Sequence, residues 1–327
     1  MASPQGTVCT ATSAVDISSG CISRGCISTA AGSARIRPHW SDQRPSESWP
    51  RGDGAEPGPG PGLELQVLGP MEVLRGGVPV MVPGRTTAII LAGLALSANQ
   101  IVPNDTLIDW TWGAGRPARP RAALQSGISR LRRLVGGELV ETAGLGYRLR
   151  AGAGQLDLLR FSELVATGAR AADDGAPERA LVLLDRALRL WRGNPLSNVD
   201  SPALHRDALP GLSERYLRAV EQRSDLSLRL GRYPAVVQEL SVIVRQHPFH
   251  ERLAGQLMIA LVKSGRRADA LAAYERLRQA LAGELGIDPG AALQALRGRI
   301  LHADGGREVR DRRDQPDWLR EFWAEAT

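Results

Sequence analysis

The chain has 327 residues, 43% of them hydrophobic and 23% charged, a soluble globular balance at a length unusual for a single core. Aromatic residues are only 4%, so the cores must be built from Leu, Val, Ile and Ala. The most apolar run, Ala88 to Ala98, falls short of the roughly 20 residues that a bilayer span requires, which excludes a membrane partner, and no secretory signal is visible.

Residues 1–62 are rich in Ser, Gly and Pro, and carry five Arg against five acidic residues. No pattern there can bury a core, so the segment reads as a disordered N-terminal extension. All three cysteines, Cys9, Cys21 and Cys26, lie in it. An odd number outside the folded part argues against a disulfide framework and for a reducing cytoplasm.

Order is expected from Leu63. Leu63 to Leu68 alternates with period two, as a half-buried strand does. Met71–Leu74 and Val78–Val82 read as a hairpin turning at Gly76-Gly77. Gly84 and Arg85 open an apolar helix through Ala98. A second helix is predicted from Asn104, capped by Asn104 or Asp105, to Trp110. A Gly/Pro loop follows, then a third helix over Arg121–Val135, stopped by Gly136-Gly137. Two strands, Glu138–Thr142 and Tyr147–Arg150, close the region. Strands, three helices and a terminal hairpin are the order of a winged helix-turn-helix, an α+β domain over residues 63–150.

Beyond it the pattern is helical, and residues 155–303 are expected to form an all-α domain. Gly175, Gly231 and Gly265 each begin a similar unit. Ala180, Val236 and Ala270 follow five residues later, Leu184, Leu240 and Tyr274 nine later, and Ala187, Ile243 and Leu277 twelve later. The last two glycines stand at the period of tetratricopeptide repeats. Trp191 to Pro195 reads as an insertion between the first and second units.

Charge is unevenly placed. Residues 63–150 hold ten basic against six acidic residues, and from Trp110 to Gly137 there is no acid while Arg116, Arg119, Arg121, Arg130, Arg132 and Arg133 crowd together. On the third helix Leu124, Ile128, Leu131 and Val135 share the inward face. The opposite face presents Ala122, Ser126, Ser129 and Arg133, flanked by Gln125 and Arg130. Small residues let such a helix sink into the major groove, Arg can donate two hydrogen bonds to guanine, and Ser or Gln can reach bases or phosphates. Arg119 and Arg121 at its start, with Arg132 and Arg148, complete the expected contacts. The expected partner is double-stranded promoter DNA; the plain alternatives are a solvated basic face, or a helical-repeat scaffold whose winged helix binds protein.

The motifs point to a known family. Ile128-Ser129-Arg130-Leu131-Arg132-Arg133, with Gly146-Tyr147-Arg148-Leu149, resembles the DNA-binding domain of OmpR-type response regulators. Leu107-Ile108-Asp109 with Trp112-Gly113 narrows the resemblance to the Streptomyces antibiotic regulatory protein family. Three further runs, Ala187 to Leu196, Arg252 to Leu261 and Glu284 to Gly290, resemble the bacterial transcriptional activation domain that this family carries. The resemblance covers about residues 63–302. It implies an activator of specialised-metabolite gene clusters that binds direct repeats near promoters and recruits RNA polymerase holoenzyme, as a homodimer or a head-to-tail assembly on DNA. A cytoplasmic, nucleoid-associated location follows. Two positions depart from the pattern. Trp110 stands where a small residue is expected, and Gly127 lies inside the third helix where a larger one is usual, at a cost of about 1 kcal/mol; both are expected to alter affinity or operator preference.

No enzyme and no cofactor are expected. Lys263, the only lysine, lacks the preceding glycine of a phosphate-binding loop. Ser201, His205 and Asp207 read as a helix start rather than a triad, and His247 and His250 as structural histidines at a repeat boundary. Residues 304–327 form a tail in which Pro316 and Asp317 begin a short helix carrying Trp318, Leu319, Phe322 and Trp323 as one apolar stripe. That stripe is expected either to cap the chain's own repeats or to dock on a second protomer or on polymerase.

Overall fold

The computed structural model describes residues 62–302, so the N-terminal extension, its three cysteines and the helix expected after Asp314 lie outside the described residues. Within them the protein is mostly helical, with a small β region at the N-terminal end. Strands β1 (Leu63–Gln66), β2 (Glu72–Arg75) and β3 (Val78–Pro79) form an antiparallel meander. The β2–β3 turn uses Gly76 and Gly77 at φ of 58° and 78°, values that favour glycine. Helices α1 (Arg85–Leu96), α2 (Asn104–Trp112) and α3 (Pro120–Val135) follow. A second three-stranded sheet has the order β4 (Val102–Pro103), β6 (Gly146–Leu149), β5 (Val140–Ala143).

Two details differ from expectation. The position before α2 is Pro103 and no side chain caps it; Asn104 is already helical and donates its backbone N–H to Leu145 O at 3.0 Å. Strand β4 was not anticipated, because two residues are too few for any periodicity to register. It pairs Val102 with Tyr147 and ties the start of α2 to the closing hairpin.

The remaining helices are α4 (Asp157–Asp173), α5 (Pro177–Leu188), α6 (Pro202–Arg229), α7 (Tyr233–Gln246), α8 (Glu251–Lys263) and α9 (Arg267–Ala280). A π-helical turn, Leu281–Leu285, then leads to α10 (Ala291–His302). Gly175, Gly231 and Gly265 occupy the turns α4–α5, α6–α7 and α8–α9 with φ of 76°, 70° and 75°. The left-handed backbone at these turns explains why glycine opens each repeating unit. All nine positions that share the offset pattern, from Ala180 to Leu277, are buried.

The β region and the first helices after it share one hydrophobic core, running from Leu65 through α1–α3 to Phe161, Leu204 and Ala219. The contacts at this joint are polar as well as apolar. Leu65 N donates to Gln155 O at 2.7 Å. Both carboxylate oxygens of Asp157, the first residue of α4, accept from Val67 N at 2.9 Å, and Oδ2 also accepts from Leu68 N at 2.9 Å. The segment Trp191–Pro195, which the repeat pattern marked as an insertion, belongs to the clamp. Arg192 N donates to Leu68 O at 2.7 Å and its guanidinium to Pro70 O at 3.0 Å. Asn198 brackets Met71, accepting from its N at 2.7 Å and donating to its O at 3.0 Å. Trp191 meets Phe161 edge-on with ring centroids 5.5 Å apart.

Candidate nucleic-acid interface

Helix α3 forms because Pro120 starts it at a position that needs no N–H, and Gly136, at φ 107°, ends it. Its inward face follows from the 3.6-residue period: Leu124, Ile128, Leu131 and Val135 are all 3% exposed or less. These residues rest on α1, whose run Ile89–Ala95 is wholly buried. Gly127 also faces inward. A Cβ built there would stand 2.6 Å from Ile90 Cδ1 and 3.3 Å from Thr86 Cγ2. The glycine that the sequence marks as a departure inside the helix is thus the contact that lets α3 lie close against α1.

The outward face carries Arg121, Gln125, Ser126, Ser129, Arg130 and Arg133, all exposed, and Arg119 is exposed just before the helix. Ser126 Oγ donates back to Ala122 O at 3.0 Å. Arg121 approaches Asp105 only at 4.0 Å, with both side chains more than three-quarters exposed. Arg119, Arg130 and Arg133 have no ion-pair partner among the described residues. Arg116, by contrast, pairs with Asp109.

Two of the expected contact residues are placed differently from the rest. Arg132 is half-buried and turned onto the β5–β6 hairpin. Its Nε donates to Val140 O at 2.9 Å, its Nη2 to Thr142 Oγ1 at 2.8 Å, and its guanidinium lies 6.0 Å from the Tyr147 ring centroid. Arg132 therefore joins helix to hairpin rather than pointing outward. Arg148 is paired across the hairpin with Glu141, its Nε and Nη2 lying 3.0 and 2.7 Å from Oε2, and Arg150 pairs with the other oxygen of the same carboxylate. Hydrogen bonds from Arg150 and Arg148 hold the Glu141 carboxyl below its usual range. Sequence reasoning missed Glu141, although Gly144-Leu145-Gly146 sets the register that puts it opposite Arg148. A cleft between α3 and the hairpin remains, lined by Gln125, Ser129, Arg133, Thr142 and Tyr147.

Trp110 is explained by the joint. Its ring packs over Gly93 of α1, where a Cβ would approach Trp110 Cε3 to 2.7 Å. Its Nε1 donates to Asp207 Oδ2 at 2.9 Å, and its carbonyl accepts from Ser201 Oγ at 2.5 Å. Ser201 also caps α6, accepting from Leu204 N at 3.2 Å. Ser201 and Asp207 thus bind α2 to α6, and no nucleophile–base geometry links them. Among the described residues no group of three or more His, Cys, Asp or Glu could hold a metal ion, and no helix is long and apolar enough to cross a membrane.

Residues 156–301 match the bacterial transcriptional activator domain. Regulatory protein DnrI of Streptomyces peucetius is 34% identical over 255 residues, which cover 75% of this chain and 94% of the relative. Regulatory protein AfsR of Streptomyces coelicolor is 39% identical over 244 residues, or 74% of this chain but only 24% of AfsR. The solved structure of Mycobacterium tuberculosis EmbR in complex with a low affinity phosphopeptide superposes with a TM-score of 0.70 at 34% identity, covering 81% of this chain and 69% of that one. A basic helix on a small β-containing lobe, fused to an activator domain, defines a bacterial transcriptional regulator. Within that class the chain belongs to the Streptomyces antibiotic regulatory protein family, whose members are regulators of transcription and not enzymes.

Proposed function

We propose that the chain is a sequence-specific DNA-binding activator of a specialised-metabolite gene cluster. Residues 63–150 act as a winged helix-turn-helix, and residues 155–303 act as a tetratricopeptide-like lobe that engages RNA polymerase holoenzyme. The observation that carries this reading is the outward face of α3: Gln125, Ser126 and Ser129 beside Arg130 and Arg133, neither of which has an ion-pair partner among the described residues, on a helix without one acidic residue. In the major groove, Arg133 and Arg130 read guanine edges and the short polar side chains allow close approach. Arg119 and Arg121, at the positive end of the helix dipole, bind the phosphate backbone. Arg148 contributes less than its charge suggests, because Glu141 already occupies its guanidinium. Direct repeats near the promoter receive the protein as a homodimer or a head-to-tail assembly.

The reading is tested by fluorescence anisotropy with promoter fragments at several salt concentrations. Affinity should fall with log salt at a slope of about 0.9 per phosphate contact. Arg133→Ala should cost about 1–3 kcal/mol on the preferred site and little on random DNA, whereas Arg132→Ala should first lower the melting temperature. Salt-independent binding, or no preference among genomic fragments, overturns the reading and leaves the helical lobe as a protein-binding scaffold.

A further inference from the structure

Two unlike surfaces of the helical lobe complement each other. Helices α7, α8 and α9 enclose a groove whose floor is apolar, formed by Val244, Pro248, Leu257, Leu261 and Leu277. On its rim Arg245 and Arg276 are exposed and have no ion-pair partner among the described residues. Arg266 stands at one end, already paired with Asp269 at 2.7 Å. The second surface is the turn after α9. Glu284-Leu285-Gly286-Ile287-Asp288 is exposed throughout, Leu285 by 54% and Ile287 by 52%. Glu284 makes no ion pair among the described residues, and Arg278, whose charge Asp288 feels, is engaged by Glu275 at 2.6 Å.

Local structure holds this turn out from the lobe. The π-helical segment Leu281–Leu285 ends on Gly286 at φ 68°, left-handed backbone that stops the helix and reverses the chain. Buried Leu281 anchors one end and buried Pro289 the other, and Gly290 N donates to Glu251 Oε2 at 2.7 Å. Pinned at both ends, the turn keeps Leu285 and Ile287 in water, where apolar side chains side by side mark a contact surface. Single π-helical turns recur at functional sites for the same reason, that their cost is kept for a use. The chain thus carries both halves of one contact: an apolar knob between two acids, and an apolar floor between two arginines. Its own groove does not hold the knob, since both apolar side chains are exposed. We infer that the Leu285–Ile287 knob of one copy docks in the α7–α9 groove of a second copy, with Glu284 and Asp288 toward Arg245 and Arg276. Because knob and groove are different surfaces, the contact can repeat with successive copies facing one way. Such a contact joins neighbouring copies on direct repeats, and to that extent it rests on the assembly proposed above.

The test uses the full chain at high concentration without DNA, with Leu285→p-benzoylphenylalanine as a photocrosslinker and peptide mapping of the products. Crosslinks should appear in a dimer band and map within residues 241–277. Glu284→Arg with Asp288→Arg in the crosslinking chain should reduce their yield about fivefold or more, since two exposed ion pairs are reversed. Mixing that chain with one carrying Arg245→Glu and Arg276→Glu should restore the yield, because each reversed knob then meets a reversed groove. Recovery on mixing also shows that both variants fold, and melting curves like the parent's check each one alone. Crosslinks confined to the monomer band, dimer crosslinks outside the groove, or no dimer product would overturn the proposal. So would a yield indifferent to charge reversal, or one that mixing does not restore. Since no DNA is present, failure here leaves the reading of α3 standing, and salt-independent DNA binding would leave this contact standing.

Discussion

Gly127→Ala is the substitution for which the structure makes the sharpest energetic statement. Replacing glycine by alanine inside a helix ordinarily stabilises it by about 1 kcal/mol. Here the new Cβ would sit 2.6 Å from Ile90 Cδ1, against a comfortable carbon–carbon separation of about 3.5–4.0 Å. Ile90 is fully buried, so its terminal methyl cannot swing into solvent, and α3 must lift or Ile90 must leave its rotamer. Overpacking of this kind costs about 1–3 kcal/mol, and set against the helix-propensity gain the expected net effect is a loss of up to about 2 kcal/mol. Ile90→Val removes the clashing methyl, at a cost of about 0.5–1.5 kcal/mol by itself. Combined with Gly127→Ala it should cost much less than the two singles together, with a coupling of about 1 kcal/mol or more. Urea unfolding of the four proteins measures this cycle. Additivity of the two changes, or a Gly127→Ala protein more stable than the parent, would refute the close approach of α1 and α3.

Two further expectations concern the joint and the helical lobe. Asp157→Ala strands the buried amides of Val67 and Leu68, at about 1–3 kcal/mol for each unsatisfied group, so the melting temperature should drop by several degrees while Asp157→Asn loses less; unchanged melting would show that the carboxylate does not hold the joint. Burial pushes His247 and His250 below the ordinary imidazole range, and the His250 ring faces His247, Arg252 and Glu221, whose carboxylate lies 3.4 Å away. A depressed folded pKa means the unfolded chain takes up protons first, so this stability is present above about pH 6.5 and is lost as pH falls through the folded values. Glu221 and Asp225, raised by burial, act in the opposite direction in the carboxylate range. His247→Gln with His250→Gln should therefore flatten thermal stability between about pH 7.5 and about pH 5.5, and equal slopes for variant and parent would contradict the burial argument.

The faces of α3 were legible because a 3.6-residue period sorts Leu124, Ile128 and Leu131 from Ser126, Ser129 and Arg133 without knowledge of any neighbour. The repeat turns were legible for a similar reason: Gly175, Gly231 and Gly265 mark backbone that few other residues adopt. Periodicity does not report what lies across a gap. Gly127 looked like a weakness in a recognition helix until Ile90 was placed against it. Arg132 and Arg148 carry the same charge as Arg133, and only the register of β5 and β6 reveals that Val140, Thr142 and Glu141 engage them. The joint was the least visible part. Asp157 meets residues 89 and 90 positions away and Asn198 meets one 127 positions away, separations at which a single sequence carries no pattern. Trp191 to Pro195 reads as a family signature and as an insertion between repeating units, and it does lie between α5 and α6; its role in the clamp was hidden because its partners lie in the loop after β1.

If α3 reads DNA as proposed, the joint has a consequence for operator spacing. Asp157, Arg192, Asn198 and Trp110 fasten the lobe that carries α3 to the helical lobe from several sides, so whatever turned α3 about a DNA axis would swing the helical lobe with it. B-DNA advances one turn in about 10.5 base pairs, and each added base pair would rotate that rigid arm by about 34° relative to a neighbour fixed further along the duplex. Five added base pairs would carry it to the opposite side of the helix while leaving every base contact intact. Spacing between half-sites and promoter is then a phase rather than a distance: output should recur with the helical period, and a loosened joint, as in Asp157→Ala, should blur that recurrence before it abolishes binding.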